Sequence, residues 1–281
     1  MAAQGIEVSS HLAAGDMKQP FKLYHNIFSI CSLQVRFCVS LGNLIGSSFP
    51  NLEFEEHEID IYHSGQLDEQ FLCHVNPKGQ VPALVNESVL GTPLTDSMDI
   101  TFYLAELYPS LCPTAHTPTI VKMVKSLHSI SFLALSFTKP HHREYIYNLE
   151  EPLKAILAKP DLSAEYRRAL EWKLQFHKST QSPQVTQEST DTAIAESKIV
   201  LEEVDMILSK WGTEGNWLFG ATPTSLDAHV IVFIARLRET GNENIIPGSV
   251  SLYADTVMAM PEWKKLMNGK PTSYSVYNTS F

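Results

Sequence analysis

Residues 76–104 contain the sequence feature that points most clearly to chemistry. A Val81-Pro82 step leads directly into the apolar run 83–85. Proline cannot donate a hydrogen bond to a sheet ladder, so Pro82 suits the first position of a strand. A cis bond there would turn the neighbouring backbone N–H and C=O groups outward, where they could pair with an extended peptide. An ordinary proline that marks the start of a strand is the alternative interpretation.

The four cysteines form no metal-binding or redox motif. They stand at Cys31, Cys38, Cys73 and Cys112, with neither a CxxC pair nor zinc-like spacing. We therefore expect reduced thiols, no metal site and a cytoplasmic compartment. The first twenty residues lack an apolar region of signal-peptide length, and no apolar run reaches 18 residues, so the sequence predicts neither secretion nor a membrane span.

The composition is typical of a soluble globular protein. The chain has 281 residues, of which 44% are hydrophobic and 19% charged, enough for one large domain or two modest ones. The formal net charge of −10 argues against nucleic acid or an anionic membrane as a general partner. An anionic ligand would have to be bound by local hydrogen-bond donors.

The pattern up to residue 109 alternates strands and helices. After a leader at 1–19, it predicts strands at 21–24, 52–61, 83–85 and 89–90. Helical segments are predicted at 31–41, where Gly42-Asn43 would end the helix, at 63–74, and from Thr95-Asp96-Ser97 onward. The order β-α-β-α-β-β-α favours a compact α/β domain with a mixed sheet at 20–109.

Two prolines, Pro113 and Pro118, indicate a linker at 110–118, and the rest, 119–281, is predicted to be an all-α domain. Predicted helices span 120–137, 150–158, 164–177 and 192–211, with an exposed loop at 181–191. The 192–211 helix would pack through an apolar side that includes Ile199. Thr224 and Asp227 form an acidic variant of the capping box before the apolar run 228–234, which is typical of a buried central helix.

Four sequence signals in this order resemble the cytosolic glutathione transferases, serine-type members of the zeta, phi or fungal groups. They are the segment 28–36 at the start of the first helix, the loop 76–84 before the proline, Asp96-Ser97, and the capping box at 224–227. The resemblance covers about residues 21–268. It implies a thioredoxin-like N-terminal domain, an all-helical C-terminal domain, glutathione as co-substrate and a homodimer.

The resemblance also implies how each part of glutathione would be bound. The backbone of Val81, beside Pro82, would pair with the cysteinyl unit, and Gln80 would add an amide contact. The γ-glutamyl carboxylate would lie at the helix N-terminus beside Ser97, and Asp96 would meet its ammonium group. The family more often has glutamate where this chain has Asp96, and simple helix capping is the alternative for both residues. For the glycine carboxylate, Gln66, Lys78 and His63 are the candidates.

The thiol of glutathione must ionise before it can attack an electrophile. The resemblance places the activating hydroxyl at Ser29, where hydrogen bonding and the helix dipole would favour the thiolate. The alternative is an N-cap serine, with Ser32 as a competitor for that role. Cys31, a thiol at a helix start whose pKa could be lowered, and Asn26 are the other candidate activating residues.

The second substrate would bind where the helical half faces this loop. His128, Lys139, His141, His142 and Arg143 form a basic cluster, which is either a pocket for an acidic or phenolic electrophile or a solvated loop. Tyr145, Tyr147 and the tail 271–281 are further candidates for lining or covering the pocket.

Three functions therefore remain open. The first is a glutathione-dependent transferase acting on a small electrophile, or an isomerase or lyase that does not consume glutathione. The second is a non-catalytic binding or regulatory protein with this fold. The third is a thiol transferase that uses Cys31.

Overall fold

The computed structural model describes residues 19–49, 52–212 and 215–278. The first half contains strands and helices in the order β1, α1, β2, α2, β3, α3. Their bounds are β1 Phe21–His25, α1 Ile30–Ile45, β2 Phe54–Glu58, α2 Glu69–His74, β3 Ala83–Val85 and α3 Ser97–Leu107. The predicted leader 1–19 lies, apart from its last residue, outside the described residues.

The three strands form one mixed sheet in the order β2-β1-β3. β1 pairs with β2 in parallel, with Phe21 opposite Phe54, and with β3 antiparallel, with Leu23 opposite Leu84. Phe21 and Leu23 are fully buried, and the rings of Phe21 and Phe54 stack at 5.4 Å. The sheet therefore fixes the ends of β1 and β3, where the two loops with candidate site residues begin.

The strand predicted at 89–90 is wrong. Asn86 folds this segment into a turn, because its carbonyl oxygen accepts from the backbone N–H groups of both Val89 and Leu90. The backbone is then no longer free to extend the ladder. Only an isolated antiparallel bridge, Leu84 to Leu94, remains of the predicted hairpin.

The prediction that Gly42-Asn43 ends the first helix is also wrong, since α1 continues to Ile45. Gly42 instead allows a close contact. A Cβ atom at Gly42 would lie 2.7 Å from the Tyr108 ring, closer than real Cβ contacts allow. The Tyr108 hydroxyl also donates to Asn43 Oδ1 at 2.6 Å. A glycine inside a helix can thus mark packing and not only a helix end.

The described residues of the second half form helices joined by turns and short connections, with one isolated β-bridge between Trp217 and Gly220. Its helices are α4 Thr117–Ser129, α5 Phe132–Ser136, α6 Pro140–Asn148, α7 Glu150–Leu157, α8 Ala164–Phe176, α9 Gln187–Trp211, α10 Ser225–Glu239, α11 Gly248–Met258, α12 Pro261–Met267 and α13 Tyr274–Tyr277. This confirms the predicted fold class, an α/β region followed by an all-α region. One hydrophobic core contains residues of both, among them Leu33, Leu104 and Phe233.

Several predicted boundaries in the helical half differ from the structure, where α4 also begins at Thr117, inside the predicted linker. The helix expected at 120–137 is interrupted, because the backbone is extended at Ile130 and Ser131 caps a new helix, α5. The loop expected at 181–191 is largely helical, with α9 beginning at Gln187. The basic segment 139–143 is not a loop either, because α6 begins at Pro140.

The predicted buried face of α9 is partly wrong. Ala193, Ser197, Val200 and Val204 lie along its buried side, whereas Ile199 is 59% exposed. Ala193 and Val200, like Ser197 and Val204, are seven residues apart, about two helical turns, so they lie on one face of α9. Ile199 does not fall on that face.

The capping box before α10 is confirmed. The Asp227 carboxylate accepts from the Thr224 backbone N–H at 2.7 Å, and the Thr224 hydroxyl also takes part. From Ser225 to Leu237 every residue of α10 is buried, as predicted for a central helix.

Candidate functional site

A cavity of about 310 Å³ lies where the loops after β1 and before β3 face the helical half. Its α/β wall includes Ser29, Cys31, Gln66 and Gly79-Gln80-Val81. Aromatic side chains form much of the remaining wall: Phe28, Tyr62, Phe132, Phe137, Tyr145 and Phe176. The cavity thus combines a polar edge of backbone and small side chains with an apolar body.

The loop before β3 presents an unpaired strip of backbone to this cavity. The Val81–Pro82 peptide bond is cis, as the sequence suggested. Asn76, which is fully buried, holds the loop: its Nδ2 donates to the Gln80 carbonyl at 2.7 Å, and its Oδ1 accepts from the Lys78 N–H at 3.0 Å. Among the described residues, neither the N–H nor the C=O of Val81 has a hydrogen-bond partner. These groups can pair with an extended peptide.

Ser29 is the N-cap of α1 and lines the cavity. Its Oγ accepts from the Ser32 N–H at 3.3 Å, a long bond that leaves its own O–H free to donate. The residue is half-buried, at the positive end of a 16-residue helix. Capping and thiol activation, which the sequence presented as alternatives, are therefore compatible. Ser32, the competing candidate, is fully buried and accepts from the Asn26 N–H.

Asn26 does not line the cavity. Its side chain is 2% exposed, its Oδ1 accepts from the Phe28 N–H and its Nδ2 donates to the Ile59 carbonyl, both at 2.9 Å. These bonds shape the loop that carries Ser29. The proposed role of Asn26 as activating group is thus not supported, because its amide is already engaged elsewhere.

Cys31 lines the cavity, but its chemistry differs from the expectation of a lowered pKa. Burial raises the pKa of the Cys31 thiol to about 11, and a hydrogen bond with Ser97 and the nearby Arg236 charge only partly oppose this. Desolvation outweighs the helix dipole here. The thiol is therefore protonated at neutral pH and a poor nucleophile.

The N-terminus of α3 lies behind Cys31 and does not itself line the cavity. The Asp96 carboxylate caps α3, accepting from the N–H groups of Met98 and Asp99 at 2.9 and 3.3 Å. Ser97 is 6% exposed and contacts the Cys31 thiol. Asp96 thus performs the capping role that the sequence left open, while its exposed side chain remains accessible.

Only one of the three candidates for a carboxylate contact, Gln66, lines the cavity. Gln66 is 7% exposed, and its Oε1 has no hydrogen-bond partner among the described residues. Lys78 is exposed, and His63 is exposed with its Nδ1 2.7 Å from Asp60 Oδ2. Gln80 also lines the cavity, as expected for a residue beside Val81.

Two buried cations in the cavity wall were not predicted from the sequence. Lys173 of α8 donates to the carbonyl oxygens of Lys78 and Gly79 at 2.7 and 3.1 Å, and burial lowers its pKa to about 8. Its position on the buried line of α8, after Tyr166 and Leu170, was the available signal. A lysine on an apolar line is unusual unless it has partners.

Arg236 of α10 is the second cation, 3% exposed, and burial lowers its pKa. It donates to the carbonyl oxygens of Phe28 and Thr272 at 2.8 and 2.5 Å and to the Ser136 hydroxyl. The signal in the sequence was a charge at the end of the apolar run 228–235. Arg236 connects the loop before Ser29, the helix α5 and the C-terminal segment.

Of the three residues predicted to bind the second substrate, only Tyr145 lines the cavity. Its hydroxyl donates to the backbone of Ile61 at 3.2 Å, and burial raises its pKa. His128 contacts His229, with 3.1 Å between Nε2 and Nδ1, and does not line the cavity. His141 is exposed and packs on His142. None of the five residues of the basic cluster lines this cavity.

The C-terminal segment packs on residues that line the cavity. Tyr274 stacks on Tyr62 with 3.8 Å between ring centroids, and Tyr277 contacts Phe28 at 4.9 Å. The Glu239 carboxylate anchors the segment by accepting from the N–H groups of Thr272 and Ser273. The described part of the tail thus covers one side of the site, whereas Tyr147, 45% exposed, lies outside it.

Two further observations concern the described residues as a whole. No group of three or more His, Cys, Asp or Glu side chains among them could hold a metal ion. None of their helices combines the length and the apolar character needed to cross a membrane.

Residues 19–106 match the family model of the glutathione S-transferase N-terminal domain. A search of curated proteins finds no match. Among solved structures, the chain is similar to the β-etherase LigF from Sphingobium sp. strain SYK-6, at 19% identity and a TM-score of 0.61, covering 88% of this chain and 98% of that one.

Two other solved structures show the same fold. One is a glutathione transferase family member from Pseudomonas fluorescens pf-5 with two glutathione bound, at 17% identity, a TM-score of 0.53 and coverage of 88% and 91%. The other is a zeta-class maleyl pyruvate isomerase, at 16% identity, a TM-score of 0.56 and coverage of 87% and 95%. Residues 19–106 thus belong to the glutathione S-transferase N-terminal domain family, and the chain as a whole has the glutathione transferase fold.

Proposed function

We propose that the protein is a glutathione-dependent transferase that uses Ser29 to hold the glutathione thiol as a thiolate. The observation that carries the proposal is that Ser29 and the unpaired backbone of Val81 line the same cavity. The Val81 groups would pair with the cysteinyl backbone, and this pairing would bring the cysteinyl sulfur toward Ser29.

The electrostatics around Ser29 favour the ionised sulfur. The Ser29 hydroxyl donates a hydrogen bond, and the N-terminus of α1 contributes a positive dipole end. The Arg236 guanidinium donates to the carbonyl oxygen of Phe28, the residue before Ser29, and adds positive charge near this site. Cys31 is not itself a thiolate nucleophile, since burial raises its pKa to about 11.

The thiolate then forms a C–S bond with an electrophilic carbon of the second substrate. Either a leaving group departs with its electron pair, or the neighbouring atom takes up a proton when the reaction is an addition. The aromatic wall formed by Phe28, Phe132 and Phe137 favours a small apolar or aromatic electrophile. The γ-glutamyl end would lie toward Ser97, with the exposed Asp96 carboxylate opposite its ammonium group.

The turnover of a dinitrophenyl halide and of hydroxyethyl disulfide, measured for wild type and three variants, tests this proposal. Ser29→Ala should lower the conjugation of a dinitrophenyl halide by about 10- to 100-fold, the value of a hydrogen bond to a charged group. Cys31→Ser should retain it. Thr186→Ala is the matched control, because Thr186 caps α9 in the same way but lies outside the cavity. Equal conjugation by wild type and Ser29→Ala would refute the role of Ser29.

The other functions predict different results in the same assays. A thiol transferase would reduce hydroxyethyl disulfide and lose this activity in Cys31→Ser. An isomerase or lyase would convert its substrate without net loss of glutathione, which product analysis detects. A regulatory protein would bind glutathione without turning over any electrophile. A homodimer, expected from the family resemblance, and a cytoplasmic location, expected from the reduced cysteines, are also part of the proposal, and light scattering tests the dimer.

A further inference from the structure

A second cavity, of about 390 Å³, lies between the loop after β1, the helix α1 and the end of α12. Its wall consists of Ile27, Arg36, residues 265–268 and Lys270. None of these residues lines the cavity that contains Ser29. A cavity of this volume can hold a small organic molecule. It is therefore a separate candidate for a binding site.

Three residues in the wall of the second cavity are cations, and they come from separate parts of the fold. Arg36 belongs to α1, Lys265 to the last turn of α12, and Lys270 follows that helix. Among the residues that the structure describes, no aspartate or glutamate lines the cavity, and no carboxylate lies within 4.0 Å of either lysine ammonium. In a chain with a formal net charge of −10, this cavity has only cations as its charged lining.

Helix capping does not explain this group of cations. A lysine in the last turn of a helix complements the negative end of the helix dipole, and Lys265 has such a position. Arg36 and Lys270 lie outside α12, so the dipole of that helix does not account for them. An anionic ligand would account for all three.

Arg36 has a donor that the protein leaves unused. Its Nε and Nη2 donate to the two carboxylate oxygens of Glu56, both at 2.8 Å. Its Nη1 is buried and has no hydrogen-bond partner in the described part of the chain. A buried donor without an acceptor is costly, and a bound anion would supply the acceptor. Because Glu56 balances the charge of Arg36, the two lysines supply the net positive charge of the cavity.

The available donors suit a phosphate group better than a carboxylate. A planar carboxylate is bound best by two parallel N–H groups of an arginine, and Glu56 already occupies this side of Arg36. One guanidinium nitrogen and two ammonium groups remain. A phosphate group has acceptor oxygens around a tetrahedral centre and carries about −1.5 to −2 charges, so it can accept from donors on three separate elements.

We propose that the second cavity binds a small phosphate-bearing molecule through Arg36 Nη1 and the ammonium groups of Lys265 and Lys270. This site goes beyond the proposed function, since glutathione and its electrophile would occupy the other cavity. Binding here and conjugation there can therefore be measured, and can fail, independently.

Isothermal titration calorimetry with inorganic pyrophosphate, at constant ionic strength, tests this inference. Lys265→Gln and Lys270→Gln, alone and combined, remove the charges but retain N–H₂ groups. Lys264→Gln is the matched control, because Lys264 is the neighbouring residue of α12, is equally exposed and lies outside the cavity. Citrate, which carries several carboxylates and no phosphate, is the comparison anion.

Wild type and Lys264→Gln should bind one pyrophosphate with equal affinity, and wild type should bind citrate more weakly. Each single variant should weaken the binding of pyrophosphate about three- to tenfold, since the ammonium groups are exposed, and the double variant by more than tenfold. The absence of saturable binding in wild type, equal weakening in Lys264→Gln and Lys265→Gln, or tighter binding of citrate would overturn the inference.

Two further measurements separate a lost binding site from a damaged protein. The urea midpoints of the lysine variants should match that of wild type, because the substituted side chains are exposed. Their conjugation of a dinitrophenyl halide should also be unchanged, since neither lysine lines the cavity that contains Ser29. A loss of pyrophosphate binding that occurs only together with a lower urea midpoint would overturn the assignment of these lysines as ligand donors.

Discussion

The guanidinium of Arg236 donates to the carbonyl oxygen of Phe28 at 2.8 Å, one residue before Ser29. The central helix of the helical half thereby fixes the backbone of the loop that carries the proposed catalytic hydroxyl. The same guanidinium binds the Thr272 carbonyl, so the C-terminal segment is fixed by the same side chain. The position of Ser29 therefore depends on contacts that are more than 200 residues away in sequence.

Arg236→Met should destabilise the protein and disturb the site. It leaves the buried carbonyl oxygens of Phe28 and Thr272 without their donors, at a cost of about 2–4 kcal/mol in the free energy of unfolding. Urea denaturation measures this. Arg238→Met is the control: Arg238 pairs with Asp255 and donates to Ser251, but it is partly exposed, so its loss should cost about 1 kcal/mol, less than that of Arg236. Equal effects of the two variants would contradict the role of Arg236.

Gly42→Ala should destabilise the protein through the contact with Tyr108. The added methyl group would lie 2.7 Å from a fully buried ring, and overpacking of this kind costs about 1–3 kcal/mol. Gly91→Ala meets no atom within 4 Å and serves as the control. Both changes are compared by urea denaturation, and a stability of Gly42→Ala equal to that of the control would show that the helix and the ring do not pack this closely.

Alkylation of Cys31 should be slow at neutral pH. Because its pKa is raised to about 11, only about one thiol in a thousand is ionised at pH 8. The rate of iodoacetamide labelling, followed for the Cys31 peptide by mass spectrometry, should rise about tenfold per pH unit from pH 8 to 10. A rate that is already maximal at pH 8 would instead support Cys31 as a nucleophile.

Acid should destabilise the fold partly through His25. Burial lowers the pKa of His25 from 6.5 to about 4, so the unfolded chain binds more protons than the folded one between these values. Stability therefore rises with pH across this window, and the contribution of His25 is lost as pH falls through it, with a slope of at most about 1.4 kcal/mol per pH unit.

His25→Asn should flatten the pH dependence of the urea midpoint between pH 6.5 and 4. His63→Asn is the control, since the His63 side chain is 71% exposed. The Glu56 carboxylate, whose pKa is lowered by Arg36 and to a lesser degree by His25, adds stability that is lost at still lower pH; the part due to Arg36 remains in both variants. A profile of His25→Asn parallel to wild type would contradict the assignment.

Local sequence patterns predicted those structural features that depend on residues close together in the chain. Pro82 after Val81, the serine at the start of α1 and the capping box of α10 each follow from short-range steric or hydrogen-bonding rules, and the sequence places them correctly. Gly42 shows the limit of such rules. The same glycine can end a helix or admit a ring, and the position of Tyr108 decides which.

The two cations of the cavity could not be placed from the sequence. Lys173 is 94 residues from Gly79, and Arg236 is 208 residues from Phe28, so only the packing of the helical half brings each pair together. The basic cluster at 139–143 shows the same limit, because closeness in sequence does not place side chains in one pocket. Its charges are close in sequence, but α6 turns His141 toward solvent.

The ionisation of the bound glutathione thiol tests the central claim most directly. The ultraviolet absorbance of the thiolate, titrated against pH in the binary complex, gives its pKa. We predict a value of about 7 or below in wild type and in Cys31→Ser, against about 8.5 for an ordinary thiol. Ser29→Ala should return the value to about that of the ordinary thiol. An unshifted thiol in wild type, or an unchanged shift in Ser29→Ala, would contradict the account.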